Sequence, residues 1–233
     1  MSDPAIDLYY WPTPNGFKVS ILLEELGVPY TVRYIDILKG DQFEPAFLAI
    51  SPNNRMPAIV DRDGPDGTSI SVFESGAIMQ YLGRKFGRFY PTDERARVAV
   101  DEWLFWQVGG LGPMAGQAHH FLRYAPETIP YAADRYVNEA RRLYGVMETR
   151  LAGRDFLAGD YSIADMAAFG WATAHERHNV PFDDLPNVAA WYARIDARPA
   201  VERGIAVGAE HVAKTRALAD DAKARDALFN RKY

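Results

Sequence analysis

The sequence predicts an α/β domain followed by an all-helical domain. From residue 6 to about residue 86, short runs typical of strands alternate with runs that have helical spacing. Beyond residue 93 no strand candidate occurs, and a stretch containing Pro and Gly separates the two parts. We therefore expect a first domain over residues 1–86, a linker over 87–93, a helical domain over 94–208 and a C-terminal tail over 209–233.

The first part begins with a predicted strand–helix–strand unit. Residues 6–11 form an apolar and aromatic run, and residues 12–16 have the Pro, Asn and Gly of a turn. Residues 17–26 have helical spacing, and Gly27 is a typical residue after a helix end. Residues 30–37 are β-branched and aromatic, as strands are. This order favours parallel pairing of the two strands through a right-handed crossover.

The first part continues with a predicted hairpin and helix. Residues 43–49 form a short helix candidate. Two apolar runs, 58–61 and 69–73, are joined by the turn sequence Asp-Gly-Pro-Asp-Gly and therefore indicate a β-hairpin. A helical pattern over 75–86 follows, so the predicted order is βαβ and then ββα.

The second part contains only helical patterns. Ser162 and Asp165 have the spacing of a capping box, in which each side chain accepts from a backbone N–H of the helix start. The glycine-rich residues 109–112, followed by Pro113, indicate a helix break. The tail, 209–233, alternates charges with alanines and fits either a marginal amphipathic helix or a disordered segment. The predicted helices cover 94–107, 131–151, 163–176, 187–197 and 199–207.

Composition excludes several classes of protein. The net charge of -5 argues against a nucleic-acid-binding protein, which needs a basic face. The absence of cysteine excludes disulfides, thiolate zinc sites and a cysteine nucleophile. The polar N-terminus is unlike a signal peptide, and no run approaches the roughly 18 apolar residues of a membrane span. We therefore expect a cytoplasmic protein without a membrane partner.

Two histidine pairs invite a metal interpretation, which we do not adopt. His119 is next to His120, and His175 is three residues before His178. Neither pair has the accompanying carboxylate pattern of a metalloprotease helix. The sequence therefore predicts no metal site.

The first functional candidate is Thr-Pro-Asn-Gly at residues 13–16, between a strand and a helix. A helix N-terminus offers unpaired N–H groups and a partial positive charge, which suit an anion or a thiolate. Thr13 and Asn15 could add a hydroxyl and an amide donor. Ordinary helix capping explains the same residues, and the sequence alone favours it.

Two further candidates stand at the ends of the predicted hairpin. Pro57 directly precedes a strand, and a cis bond before it would turn the Met56 backbone toward a ligand. Ser75 begins a predicted helix, where it could hold a carboxylate, while Glu74 could pair with an ammonium. Together these two residues would clamp the ends of an amino acid, although a simple helix cap is an equally good interpretation.

The ordered set of motifs resembles the glutathione transferase superfamily. It comprises Thr-Pro-Asn-Gly, Ser-Pro-Asn-Asn-Arg-Met-Pro-Ala-Ile, Phe-Glu-Ser-Gly-Ala-Ile and Tyr-Ser-Ile-Ala-Asp. Over residues 6–205 the chain looks like the bacterial nu-class and yeast prion-protein-like branch, and residues 131–136 also fit it. The resemblance implies a thioredoxin-like first domain that binds glutathione and a helical bundle after it. It also implies glutathione as co-substrate, no metal and a homodimer.

The resemblance assigns roles to single residues in the first half of the first domain. Asn15 would lie beside the glutathione sulfur, with Thr13 near it. Gln42 would contact the glycyl end. The close relatives carry a basic residue where this chain has Glu44, so one carboxylate contact is altered.

The resemblance also assigns roles further along the chain. Met56, before a cis Pro57, would pair its backbone with the cysteinyl part of glutathione. Glu74 and Ser75 would hold the γ-glutamyl group. Arg135 would reach a glutathione carboxylate from the helical domain.

The residue at the turn limits the chemistry. Asn15 cannot act as a base, but it can stabilise a thiolate that has already formed. Lowering a thiol pKa by about two units needs about 2.7 kcal/mol. A hydrogen bond to a charged acceptor supplies about 1.5–3 kcal/mol and a helix N-terminus about 0.3–1 kcal/mol.

Without a cysteine, the protein cannot form a mixed disulfide itself. Glutathione must attack, and a second glutathione must resolve the product, so the site must accept two glutathiones or oxidised glutathione. We therefore predict glutathione-dependent reduction of small disulfides. Conjugation of glutathione to electrophiles is the first alternative. A non-catalytic glutathione-binding regulatory module is the second, and a metal hydrolase is a remote third.

Overall fold

The structure is a computed structural model that describes residues 4–216 and 222–230. Contacts divide the described chain into two compact units. One unit consists of the chain up to Tyr81 together with the chain from Arg203 onward, and the other spans Leu82–Glu202. The domain limits expected at residues 86, 93 and 208 stay predictions.

The first unit is built on a four-stranded sheet with the order β2-β1-β3-β4. Strand β1 pairs parallel with β2 and antiparallel with β3, which pairs antiparallel with β4. The predicted parallel unit and the predicted hairpin are therefore confirmed, and with them the thioredoxin-like fold. The strands are β1 (Ile6–Tyr10), β2 (Tyr30–Tyr34), β3 (Ala58–Asp61) and β4 (Ile70–Phe73).

Three helices and two 3-10 turns accompany the strands, and the second of these turns (Pro65–Gly67) joins β3 to β4. The first helix begins three residues earlier than predicted, because Pro14 fits its first turn and Thr13 caps it. The last helix has the predicted bounds. The other elements are α1 (Pro14–Leu26), a 3-10 turn (Asp41–Phe43), α2 (Pro45–Leu48) and α3 (Ser75–Phe86).

In the described residues of the second unit, the regular elements are all helical, as predicted. A π-helical turn (Gln107–Leu111) and a 3-10 turn (His175–His178) accompany the α-helices. The helix α9 crosses from the second unit into the returning part of the first. The helices are α4 (Glu94–Trp106), α5 (Gly112–Arg123), α6 (Pro130–Leu151), α7 (Ile163–Ala172), α8 (Pro186–Asp196) and α9 (Pro199–Ala206).

The helix break expected at residues 109–112 is wrong. The chain passes through the π-helical turn directly into α5, with no strand or loop between them. Pro113 occupies the first turn of α5, where its missing N–H removes no hydrogen bond of that helix. The prediction also extended α7 to residue 176, whereas the helix ends at Ala172.

The part of the tail that the structure describes is helical. It forms α10 (Ala209–Arg216), α11 (Ala222–Arg225) and a π-helical turn (Asp226–Asn230). Residues 217–221 and 231–233 of the predicted tail lie outside the described residues. In the described chain, no helix combines the length and the apolar character that crossing a membrane requires.

The segment from Arg203 onward packs on the first unit. The Ser20 hydroxyl donates to the Gly204 carbonyl at 2.7 Å, and the Tyr10 hydroxyl donates to the Val207 carbonyl at 3.1 Å. The ring of His211 stacks on Trp11 with their centroids 4.9 Å apart. This close approach requires a glycine at 204, because an added Cβ would lie 2.6 Å from the Ile21 Cα.

Candidate active site

The N-terminus of α1 carries the first functional motif. Thr13 is the N-cap, and its hydroxyl oxygen accepts from the Gly16 N–H at 3.2 Å. Pro14 has no N–H, so Asn15 contributes the next backbone donor together with its side-chain amide. The capping interpretation is therefore correct, and it leaves Asn15 half-buried at the positive end of a 13-residue helix.

The cis proline loop meets this helix end. The Met56–Pro57 peptide bond is cis, as the resemblance implied, and Pro57 is buried. The Thr13 hydroxyl lies 3.6 Å from the Met56 sulfur, to which it donates a weak hydrogen bond. The Ser51 hydroxyl donates to the Arg55 carbonyl at 2.8 Å and so fixes the loop from the other side. The structure therefore brings the first two motifs together.

The third motif forms a corner between β4 and α3. Glu74 has a left-handed backbone, φ 69°, and its carbonyl accepts from the Ile78 N–H at 2.9 Å. Ser75 follows as the first residue of α3 and is 8% exposed. The Glu74 carboxylate is exposed and accepts from the Asn53 amide at 3.2 Å. A carboxylate for an ammonium and a helix start for a carboxylate thus stand side by side.

A buried lysine connects the first motif to the third. Lys18, in α1, is 2% exposed and donates from Nζ to the Ser75 hydroxyl oxygen at 3.3 Å. Burial lowers its pKa to about 7, and the nearby Glu74 carboxylate acts in the opposite direction. The sequence analysis missed this residue. Its only signal was a lysine four positions before Leu22, on the apolar face of the predicted helix.

Tyr10 of β1 does not offer an acidic hydroxyl to a thiol. Tyr10 is fully buried, and that burial raises the pKa of its hydroxyl well above the ordinary value. Its hydroxyl is committed to the Val207 carbonyl. The donors beside Thr13 are therefore those of the α1 N-terminus.

Two predicted contacts of the first unit lie away from these motifs along the chain. Gln42 is 1% exposed and donates from Nε2 to the Ile37 carbonyl at 3.4 Å. Its Oε1 has no hydrogen-bond partner among the described residues. Glu44 is exposed and precedes α2. The role of Gln42 at the glycyl end of glutathione stays a prediction.

The remaining predicted residue belongs to the second unit. Arg135 lies on α6 and its guanidinium is 3.9 Å from the Glu139 carboxylate. The predicted contact of Arg135 with a glutathione carboxylate stays a prediction. Among the residues that the structure describes, no three His, Asp or Glu side chains are grouped so that they could hold a metal ion.

Comparison with known proteins gives two family matches. Residues 13–85 match the N-terminal domain of glutathione S-transferase, and residues 113–199 match its C-terminal domain. The disulfide-bond oxidoreductase YfcG of Escherichia coli is 50% identical over 202 residues, which cover 86% of this chain and 94% of that protein. Protein URE2 of Eremothecium gossypii is 33% identical over 232 residues, covering 82% of this chain and 65% of that protein.

A solved structure has the same fold. It is a glutathione transferase from Pseudomonas putida with one glutathione disulfide bound per subunit. It superimposes with a TM-score of 0.84 at 43% sequence identity, covering 87% of this chain and 91% of that chain. The similarity therefore extends across both units.

Proposed function

Because the chain belongs to the glutathione S-transferase family, in the branch of YfcG and URE2, we propose that it reduces small disulfides with glutathione. The observation that carries the proposal is the α1 N-terminus, where Thr13 contacts Met56 of the cis Met56–Pro57 loop and Asn15 lies in the first turn of the helix. The two most relevant relatives agree with it, one by its disulfide-bond oxidoreductase activity and one by its bound glutathione disulfide.

In this proposal, glutathione lies along the three motifs of the first unit. Its sulfur faces Asn15 and Thr13, and its cysteinyl backbone pairs with the backbone of Met56. Its γ-glutamyl ammonium meets Glu74 and its γ-glutamyl carboxylate meets Ser75. The juxtaposition of a carboxylate and a helix start at this corner supports the last two contacts.

The proposed reaction uses two glutathione thiolates. The first attacks one sulfur of the substrate disulfide, forms a mixed disulfide with it and releases the other half as a thiolate. The second thiolate attacks the glutathione sulfur of that mixed disulfide, which yields glutathione disulfide and the second product thiolate. The protons that the two glutathione thiols release end on the two product thiols. Asn15 and the α1 N-terminus act by stabilising the attacking thiolate.

The proposal is tested with 2-hydroxyethyl disulfide, following NADPH consumption through added glutathione reductase. We expect a rate well above the uncatalysed reaction. Asn15→Ala should lower it by about 10- to 100-fold, because one hydrogen bond to a charged acceptor is lost. Thr13→Ala should lower it as well. Asn138→Ala, at an exposed position of α6, is the matched control and should leave the rate unchanged.

Other outcomes would support a different function. Strong activity on chlorodinitrobenzene without disulfide reduction would indicate a conjugating transferase, which uses the same stabilised thiolate. Glutathione binding without either activity would indicate a regulatory module. If Asn15→Ala and Thr13→Ala both retained the full reductase rate, the proposed use of the α1 N-terminus would be wrong.

We propose that the protein is a homodimer that acts in the cytoplasm, where reduced glutathione is abundant. Val98 and Phe105, seven residues apart on α4, are 47% and 61% exposed and support an apolar contact with a second copy. Sedimentation should give a dimer for the wild-type protein and a monomer for Phe105→Glu. A monomeric wild-type protein would refute the dimer without affecting the proposed reaction.

A further inference from the structure

Lys18 is a charged residue in an apolar position. It lies in the second turn of α1, between the buried residues Gly16 and Val19, and is itself 2% exposed. Taking an ammonium out of water is costly unless another group compensates for the lost hydration. Burial accordingly lowers its pKa to about 7, with Glu74 opposing the shift. A lysine is therefore held at this place although an apolar residue would pack there at lower cost.

The position of the Lys18 ammonium decides how Ser75 can act. In its charged form Lys18 can only donate hydrogen bonds, so at 3.3 Å the Ser75 hydroxyl oxygen is then the acceptor. The hydroxyl hydrogen of Ser75 must then point away from Lys18. It is available for an acceptor at the α3 N-terminus, where the first N–H groups of that helix also point.

The charge of Lys18 favours the same kind of ligand. An anion bound at Ser75 would stand one hydrogen bond away from the ammonium, in surroundings that screen the attraction less than water does. Glu74 is the carboxylate on the neighbouring segment whose charge acts on Lys18. On α1 itself, Glu24 lies at the far end of the helix and is engaged by Tyr30 and Arg203.

We propose that Lys18 is a positioning residue that orients the Ser75 hydroxyl toward the γ-glutamyl α-carboxylate of glutathione and adds a buried positive charge behind it. This inference rests on the proposed function and adds a residue to the same site. Its consequence is that the carboxylate and a proton bind together. At neutral pH part of the Lys18 side chain is neutral in the free protein, and the arriving carboxylate favours the charged form.

The affinity test uses calorimetry with S-methylglutathione, which has no thiol to titrate. The second ligand is its analogue with a 4-aminobutanoyl group in place of γ-glutamyl, which lacks only the α-carboxylate. Lys18→Met should weaken binding of S-methylglutathione by about tenfold or more and leave binding of the analogue unchanged. Lys39→Met replaces a lysine whose side chain is 78% exposed and is the matched control. It should bind both ligands as the wild-type protein does.

A second measurement needs no variant. At pH 7.5, titrations in buffers of different ionisation enthalpy should show more proton uptake with S-methylglutathione than with the analogue. In Lys18→Met, if it folds, this difference should disappear. Equal proton uptake for both ligands in the wild-type protein would overturn the inference. An equal loss of affinity for both ligands in folded Lys18→Met would overturn it as well. A wild-type protein that binds neither ligand would instead refute the proposed function.

Discussion

Glu74 has a backbone conformation that is unfavourable for its residue type. Its φ of 69° lies in the left-handed region that a long side chain rarely occupies. A glycine would adopt this conformation without steric cost. The conformation places the Glu74 carboxylate outside the helix start while Ser75 begins α3. We infer that the strained backbone is retained because both groups are needed at this corner.

The residue-scale prediction separates these two effects. Glu74→Gly should raise the free energy of unfolding by about 0.5–1 kcal/mol, because the strain is relieved. It should also weaken glutathione binding, because the proposed partner of the ligand ammonium is lost. Glu74→Gln should weaken binding without the gain in stability. Urea unfolding and calorimetric titration measure both quantities, and a less stable Glu74→Gly would contradict the strain argument.

Local patterns predicted some residues of the candidate site and missed another. Thr13, Met56 and Pro57 stand in turn and strand-start motifs that can be recognised within a few residues of chain, and the structure brings them together. Lys18 was missed because its partner Ser75 is 57 residues away. Helical spacing shows which face a residue shares, but not which polar group of another element meets that face.

At the scale of elements, the junction of β1 and α1 is closely packed around Gly16. A Cβ on Gly16 would lie 2.3 Å from the Trp11 carbonyl oxygen and 2.8 Å from the Tyr10 ring. Neither the backbone nor the fully buried ring can move away easily. The Gly16 N–H is also the donor to the Thr13 cap. The start of α1 therefore depends on this glycine.

Gly16→Ala should destabilise the protein by about 3 kcal/mol, because the added methyl overpacks the junction. It should also lower the disulfide reductase rate, since α1 would shift at Asn15. The matched control is Gly145→Ala in α6, where an added Cβ meets nothing within 4 Å. That change should be neutral or slightly stabilising. Equal urea midpoints for the two variants would show that the junction has room.

The start of α7 is held by one buried carboxylate. Asp165 accepts from the Leu157 N–H at 2.9 Å, the Trp191 Nε1–H at 3.0 Å and the Ser162 N–H at 3.1 Å. Together with the Ser162 cap, these contacts are the capping box that the sequence predicted. The carboxylate also joins α7 to α8 through Trp191.

Asp165→Asn should lower the free energy of unfolding by about 3 kcal/mol. The amide NH2 group that replaces one carboxylate oxygen would face the Ser162 N–H and could not accept from it. For a chain of this size that corresponds to a fall in Tm of roughly 6–12 °C. Asp160→Asn, at an exposed position in the same loop, is the control and should leave the Tm within about 1 °C. An unchanged Tm for Asp165→Asn would mean that the amide satisfies the same donors.

The missed helix α5 shows where local propensity fails. Three glycines and a proline at positions 109–113 all disfavour a helix interior. The chain stays helical because the π-helical turn leads directly into α5 and Pro113 occupies the first turn of that helix. Packing supplies the rest: a Cβ at Gly112 would lie 2.8 Å from the Gln107 side-chain nitrogen.

At the scale of the whole molecule, one buried and one half-buried histidine make stability depend on pH. His178 is fully buried, and neither ring nitrogen has a hydrogen-bond partner among the described residues. Burial lowers its pKa to about 3 and that of His119, whose ring centroid is 5.3 Å away, to about 4. Both are therefore neutral in the folded protein at pH values where the unfolded chain charges them.

This imbalance predicts a loss of stability in acid. Below about pH 6.5 the unfolded chain binds protons that the folded protein excludes, so unfolding becomes easier as the pH falls. Each histidine costs about 2 kcal/mol between pH 7 and pH 5. Between pH 7 and pH 5 the free energy of unfolding of His178→Met should therefore fall by about 2 kcal/mol less than that of the wild-type protein. Urea unfolding at the two pH values measures this difference. Asp165, whose pKa burial raises to about 6, acts with the opposite sign but equally in both proteins. Equal losses would contradict the prediction.

The two-part architecture could be predicted because local residue patterns differ between its parts. Strand patterns alternate with helical patterns up to residue 86, and only helical patterns occur beyond residue 93. The return of the chain to its first unit could not. Ser20 meets Gly204 across 184 residues, and Tyr10 meets Val207 across 197. No periodicity connects positions so far apart, and the alternating charges of the tail gave no sign of a buried partner.

That return has a consequence for synthesis on the ribosome. In the unit with the candidate active site, the Ser20 and Tyr10 hydroxyls donate to the carbonyls of Gly204 and Val207, which are translated 184 and 197 residues later. Early domains usually finish folding while later ones are still being translated. Here the sheet unit is complete only when the residues from Arg203 onward have also been made. A nascent chain stalled before Arg203 would therefore lack the carbonyl that accepts from the buried Tyr10 hydroxyl, while Ser20 would keep its contact with the Phe17 carbonyl of the same helix.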